Sequence, residues 1–169
     1  HYLASEWNIN KFTNDRFKNI KLNENAKPIS SDKIYSVTNK GFENSEISED
    51  KTLLIFENNM AFEFSDFKEH KFKKILLVSN DTNRTIKLSE KVLKFKANLL
   101  KDQKIRLEEK SINCETIKIN DLKNITENVY AIYPTVGENL DFIQNNQLKD
   151  IKFLYRKLDQ FSWQYCNKG

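Results

Sequence analysis

The run Tyr133-Pro134-Thr135-Val136-Gly137-Glu138-Asn139 has the residue types and order for ligand chemistry. An apolar segment with strand character ends at Pro134, and an amphipathic segment opens just after Gly137. In open α/β sheets, ligands bind beyond such carboxyl ends of strands. Free backbone N–H groups there hold an anion, and Gly137 permits its close approach. Tyr133, Thr135, Val136 and Gly137 are therefore the candidate ligand loop. The plainer reading is a packed loop in which Thr135 caps the following helix. It is favoured because one Gly is far less specific than a glycine-rich phosphate loop, and because Glu138 repels an anion.

Other reactive types are sparse. Asn80-Asp81-Thr82-Asn83-Arg84 also follows an apolar run, but Asn and Asp are turn formers, and a polar turn accounts for them. His70 lies in the charged stretch Asp66-Phe67-Lys68-Glu69-His70-Lys71 and reads as a surface residue. No Ser/His/Asp or Cys/His set assembles, and the acidic residues are too scattered to nominate an acid–base pair. Cys114 and Cys166 are far apart with no CxxC, and His1 and His70 are the only histidines. That argues against a disulfide framework and against zinc. It fits a reducing compartment, the cytoplasm. The aromatics carry more weight. Trp7, Trp163 and Tyr165 are large side chains in polar surroundings. Core packing explains them; an exposed aromatic beside Lys would instead stack on a base or a ring cofactor.

These residues need elements to position them. Leu53-Leu54-Ile55-Phe56 and Ile75-Leu76-Leu77-Val78 are short continuous apolar runs, the pattern of strands buried on both faces of a parallel sheet. From Ser89 to about Lys110 the period changes to three and four, through Val92, Phe95, Leu99, Leu100 and Leu107. This is the longest expected helix, with Ser89 as N-cap. Residues 114–119 form another strand of ambiguous face, and 121–128 a short helix or turn. Val129-Tyr130-Ala131-Ile132 is a strand ended by Pro134. A helical segment with Leu140, Phe142, Ile143 and Leu148 follows. Residues 151–158 are the last expected strand and 159–165 a final turn or helix. Strands alternating with helices predict an α/β fold, a Rossmann-like three-layer domain with a mostly parallel sheet.

Residues 1–50 read differently. Leu3 and Trp7 are spaced as on one helical face, so 1–7 is expected to end a helix. The remainder is polar, punctuated by Phe12, Phe17, Tyr35 and Phe42. It is either an arm that docks at intervals or a disordered linker. The chain thus divides into a helix end plus arm over 1–50 and an α/β domain over 51–169. The first residue is His1 rather than Met, and Gly169 directly follows an aromatic stretch. The expectation is a piece of a longer protein, inactive alone.

Composition narrows the class. The net charge is +4, but 28 basic residues are interleaved with 24 acidic ones, so a solvated surface is expected rather than a nucleic-acid patch. Lys, Asn and Ile share AT-rich codons, which offers a genomic source for the Lys and Asn bias. No apolar run approaches the ~18 residues of a membrane span, so no membrane partner is expected.

Two stretches resemble a known family. Tyr133-Pro134-Thr135-Val136-Gly137, followed by Leu158-Asp159-Gln160-Phe161-Ser162-Trp163-Gln164-Tyr165-Cys166-Asn167-Lys168-Gly169, is similar to the C-terminal region of a bacterial branch of photolyase/cryptochrome-like flavoproteins. Those tails read Tyr-Ala-Pro-Val-Gly-Pro, then Arg-x-Trp-Asp, then Trp-Pro-His-Ala-Thr-Lys-Gly-Phe-Phe. Leu53-Leu54-Ile55-Phe56-Glu57-Asn58-Asn59-Met60 is similar to their Leu-Leu-Ile-His-Glu-Asp-Asp-Leu, and Leu93-Lys94-Phe95-Lys96 to a Phe-Lys-Arg segment. His1-Tyr2-Leu3-Ala4-Ser5-Glu6-Trp7 resembles their Leu-Ser-Trp-Gln-Trp stretch at the end of a helical flavin domain.

The resemblance implies a parent with light-driven chemistry on FAD, either DNA repair as a deoxyribodipyrimidine photolyase-like lyase or blue-light sensing. It implies FAD held mainly by residues outside this chain, with Trp7 the residue here nearest that domain, and Trp163, Lys168 and Gly169 as the family tail. Its partners are the helical FAD-binding domain of the same parent chain and, in a repair enzyme, DNA. Departures are Ser5 or Glu6 for the first Trp of Trp-Gln-Trp, Tyr165 for the His, and Glu138 for the second Pro. The alternative is a Rossmann-like module that binds a small ligand or a partner without flavin.

Overall fold

The apolar runs become the centre of a sheet. The structure, a computed structural model, describes residues 4–17, 21–23, 25, 44, 46–81, 84, 86–135, 137–148 and 150–165. The chain divides into two units, His1–Lys40 and Gly41–Gly169.

In the second unit the strands are β1 (Thr52–Phe56), β2 (Lys74–Ser79), β3 (Cys114–Lys118), β4 (Val129–Ile132) and β5 (Ile151–Leu154). They form one sheet of order β3-β2-β1-β4-β5, and every pairing is parallel. The helix α2 (Glu90–Glu109) joins β2 to β3, and α3 (Glu138–Asn145) joins β4 to β5. Glu57–Asn59, Phe62–Phe64 and Ile119–Asn124 are 3-10 turns, and α4 (Lys157–Trp163) follows β5.

Side chains alternate across a strand, and the core splits accordingly. Leu53, Ile55, Ile75 and Leu77 pack with Leu100 and Leu107 of α2. Leu54, Phe56, Leu76 and Val78 pack with Phe142 and Ile143 of α3 and with Ile119 and Leu122. Two cores, one on each face, make the three-layer α/β domain that the strand–helix alternation predicts. The inner strands β1 and β2 are buried on both faces, which is why they read as continuous apolar runs.

Gln103 of α2 is fully buried, yet polar. Its Oε1 accepts the N–H of Ala61 and of Phe62 (3.2 Å), and its Nε2 donates to Glu63 (3.0 Å). It thereby satisfies N–H groups of the loop after β1, where Ala61 sits at a φ of 90°. The approach to β1 is also fixed. Asn44 donates to the Tyr155 carbonyl (2.8 Å) and accepts its N–H (2.7 Å), and the Ser48 N–H donates to the Tyr130 hydroxyl (3.0 Å). Asn44 thus docks on the segment after β5 and Ser48 on β4; Tyr35 and Phe42 lie outside the described residues.

Two local expectations need correction. The first helix begins, rather than ends, near Trp7: α1 runs Glu6–Phe12, and the Ser5 side chain accepts the Asn8 N–H at 3.3 Å as its cap. The last strand stops at Leu154 instead of reaching 158, because Arg156 is the extended N-cap of α4 and the Lys157 N–H donates to Asp66 (2.6 Å). Ser89 does occupy the N-cap of α2, but without a side-chain capping bond.

Candidate functional site

The strand order reverses beside β1: β2 and β3 lie on one side of it, β4 and β5 on the other. The carboxyl ends of β1 and β4 therefore bound the crevice where α/β proteins of this topology take ligands. Two polar runs meet there, Glu57-Asn58-Asn59 after β1 and Tyr133-Pro134-Thr135 after β4.

They are tied to each other. Asn58 Nδ2 donates to the Pro134 carbonyl at 2.8 Å. Asn59 Nδ2 donates to the carbonyls of Tyr133 (3.2 Å) and Ile132 (3.4 Å). Asn59 is 2% exposed, and its Oδ1 has no hydrogen-bond partner among the described residues.

Beside them runs a second network. Glu57 accepts the Asn80 N–H (3.0 Å) and meets Lys96 Nζ at 3.1 Å. Lys96 also donates to the Asn80 carbonyl and lies 4.0 Å from Asp81. Asn80 Nδ2 donates to Asn139 Oδ1 at 2.9 Å, with both residues buried. Arg84 closes the rim on Glu138 at 3.1 Å. Burial pushes the Glu57 carboxyl above its ordinary value, while the Asn80 N–H and Lys96 pull the other way. The ends of β1 and β2 are thus knitted to α2 and to α3 by side chains that line the crevice. A glycine-rich loop would leave it open for a phosphate; here a buried carboxylate stands instead.

The expected ligand loop is only partly assembled. Thr135 does not cap α3: it lies at a φ of 63° and donates to the neighbouring Pro134 carbonyl (2.7 Å). The N-cap is Gly137, at a φ of 102° that disfavours a side chain, with open space where a Cβ would stand. Val136 lies outside the described residues, as do Lys168 and Gly169. Tyr133 turns to an aromatic cluster, with ring centroids 5.2 Å from Phe153, 5.0 Å from Tyr155 and 5.8 Å from Trp163. Burial raises the phenol pKa of Tyr133 and of Tyr155, with each other's proximity adding to the latter. So the fold brings together Tyr133 and Trp163, which the sequence singled out separately. Trp7, in the first unit, is 64% exposed with Lys11 Nζ 4.6 Å above its ring.

Glu57, Asn59, Lys96 and Asn139 were not legible as one group, since they come from three elements, the turn after β1, α2 and α3. The signal for Glu57 and Asn59 was modest: polar residues placed directly after an apolar strand. Among the described residues, no cluster of three or more His, Cys, Asp or Glu could hold a metal ion, and no helix is long and apolar enough to cross a membrane. Comparison with protein-family models, curated proteins and solved structures finds no match to this chain.

Proposed function

We propose that this chain is the accessory α/β domain of a photolyase/cryptochrome-like flavoprotein, serving its parent as a packing partner of the helical FAD-binding domain. The observation that carries this reading is the outer face of α4 and of the turn that follows it. Leu158, Phe161 and Tyr165 recur at three- and four-residue steps and are 72%, 58% and 69% exposed. Trp163, on the same helix, packs instead against Tyr133 and Tyr155. An apolar helical stripe braced from behind by an aromatic cluster suits the surface of another domain. The same segment, from Leu158 to Tyr165, carries the family resemblance, which is why the FAD-binding domain is the partner chosen. The polar groups lining the crevice are engaged with one another, which favours packing over catalysis in this chain and leaves FAD chemistry, for DNA repair or light sensing, to the rest of the parent. A cytosolic compartment fits the free thiol of Cys114.

The test is the absorption spectrum of the full-length parent purified after FAD reconstitution. Flavin bands in the blue and near-ultraviolet are expected. In the variant Leu158→Asp/Phe161→Asp those bands persist while the parent expands in small-angle scattering, because the packing is lost and the cofactor site is not. A flavin-free parent overturns the reading. The second reading, a ligand-binding module without flavin, then takes over; it draws on the space at Gly137 and the unsatisfied Asn59 Oδ1.

A further inference from the structure

A cleft of about 340 Å³ opens between α2 and strands β2 and β3, beside the Glu57–Lys96 network, with which it shares Asp81. β3 is an edge strand, and Thr116 on it is exposed. Ala97 and Leu100 of α2 give the cleft a small apolar floor, and Lys101 and Lys104 stand on the same helix along it. Ser79 and Thr116 supply hydroxyls, and Asp81 a carboxylate.

We propose that this cleft binds a small phosphorylated polyol of sugar-phosphate size. The charge distribution selects the class. Lys104 is shared with Glu108 at 3.6 Å and Asp81 with Lys96 at 4.0 Å, whereas Lys101 has no ion pair among the described residues. The surplus cation takes the phosphate as a charge-assisted contact. A bare anion would meet Asp81 with repulsion, but the hydroxyls of a polyol donate to that carboxylate and exchange hydrogen bonds with Ser79 and Thr116. The C–H face of the polyol covers Ala97 and Leu100. The volume lies at the low end of the ~300–1,000 Å³ range of small-molecule sites, which suits one sugar phosphate rather than a dinucleotide.

The test titrates the full ¹⁵N-labelled chain with ribose 5-phosphate and follows its amide spectrum. Shifts at Ala97, Lys101 and Thr116 are expected, saturating at millimolar concentration or below. Lys101→Ala and Thr116→Val, at exposed positions, each weaken binding about tenfold, a difference of ~1.4 kcal/mol, with the rest of the spectrum unchanged. Ribose alone and inorganic phosphate alone bind more weakly by at least that factor. AMP identifies the source: tighter binding than ribose 5-phosphate assigns the cleft to the ribose-phosphate of a nucleotide, weaker binding to a free sugar phosphate. The proposal is overturned if the cleft amides do not move, if inorganic phosphate binds as well as ribose 5-phosphate, or if Lys101→Ala leaves the affinity intact. None of these outcomes touches the flavin spectrum of the parent, so this proposal and the accessory-domain reading fail separately.

Discussion

Glu57 and Lys96 are 8% and 12% exposed, so their ion pair has given up most of its water. Removing one partner of such a pair strands the other. Lys96→Met is expected to cost about 3 kcal/mol at neutral pH in urea denaturation, and the cost shrinks on acidification as Glu57 takes up a proton. The sign for the native protein follows from the upward shift of Glu57. The folded state takes up this proton at higher pH than the unfolded chain. The contribution is fully present below the ordinary glutamate value and is lost as pH rises through the folded value. Wild type should therefore gain on Glu57→Gln as pH falls through that window; a constant gap would contradict it. Ala61 gives a second residue-scale test. Its left-handed backbone is held in place by Gln103. Gly adopts that conformation freely, so Ala61→Gly should stabilise the fold by about 1 kcal/mol, read as a higher urea midpoint. None of these pairings was legible in the sequence, because each joins residues from different elements. Thr135 shows the same thing in reverse: capping chemistry was present, but the backbone placed Gly137 at the cap.

At the scale of elements, legibility tracked burial. β1 and β2 were visible because both faces are covered, and α2 because its apolar period runs long. β3 gave an ambiguous pattern because it is an edge strand, partly exposed on both faces. The boundary between β5 and α4 was missed because Asp66, distant in sequence, takes the Lys157 N–H. The same contrast predicts energetics. Phe56→Ala in β1 should cost about 3–5 kcal/mol. Ile117→Ala in β3 should cost much less, since that side chain is half-buried already. Equal losses of denaturation midpoint would remove the distinction between centre and edge.

For the whole molecule, the three-layer α/β architecture was legible from the alternation of strand and helix periods. The crevice network was not, because only the strand order brings Asn80 beside Asn139. The unit Gly41–Gly169 contains both cores and the full sheet. A domain with its own core folds alone. A fragment spanning 41–169 should therefore unfold in one cooperative transition with native near-ultraviolet circular dichroism; a gradual, featureless melt would show that the first unit is needed.

The central strand has a further consequence during synthesis. β1 leaves the ribosome before any other strand, yet one of its neighbours, β4, is translated after β2, α2 and β3. Until then a nascent half-sheet presents one edge of β1 with its backbone unpaired and with Leu54 and Phe56 not yet covered by α3. Such an edge recruits other strands. The growing chain is thus most prone to aggregate in the interval before residues 129–132 emerge, and slower translation of 110–128 would lengthen that exposure and its demand on chaperones.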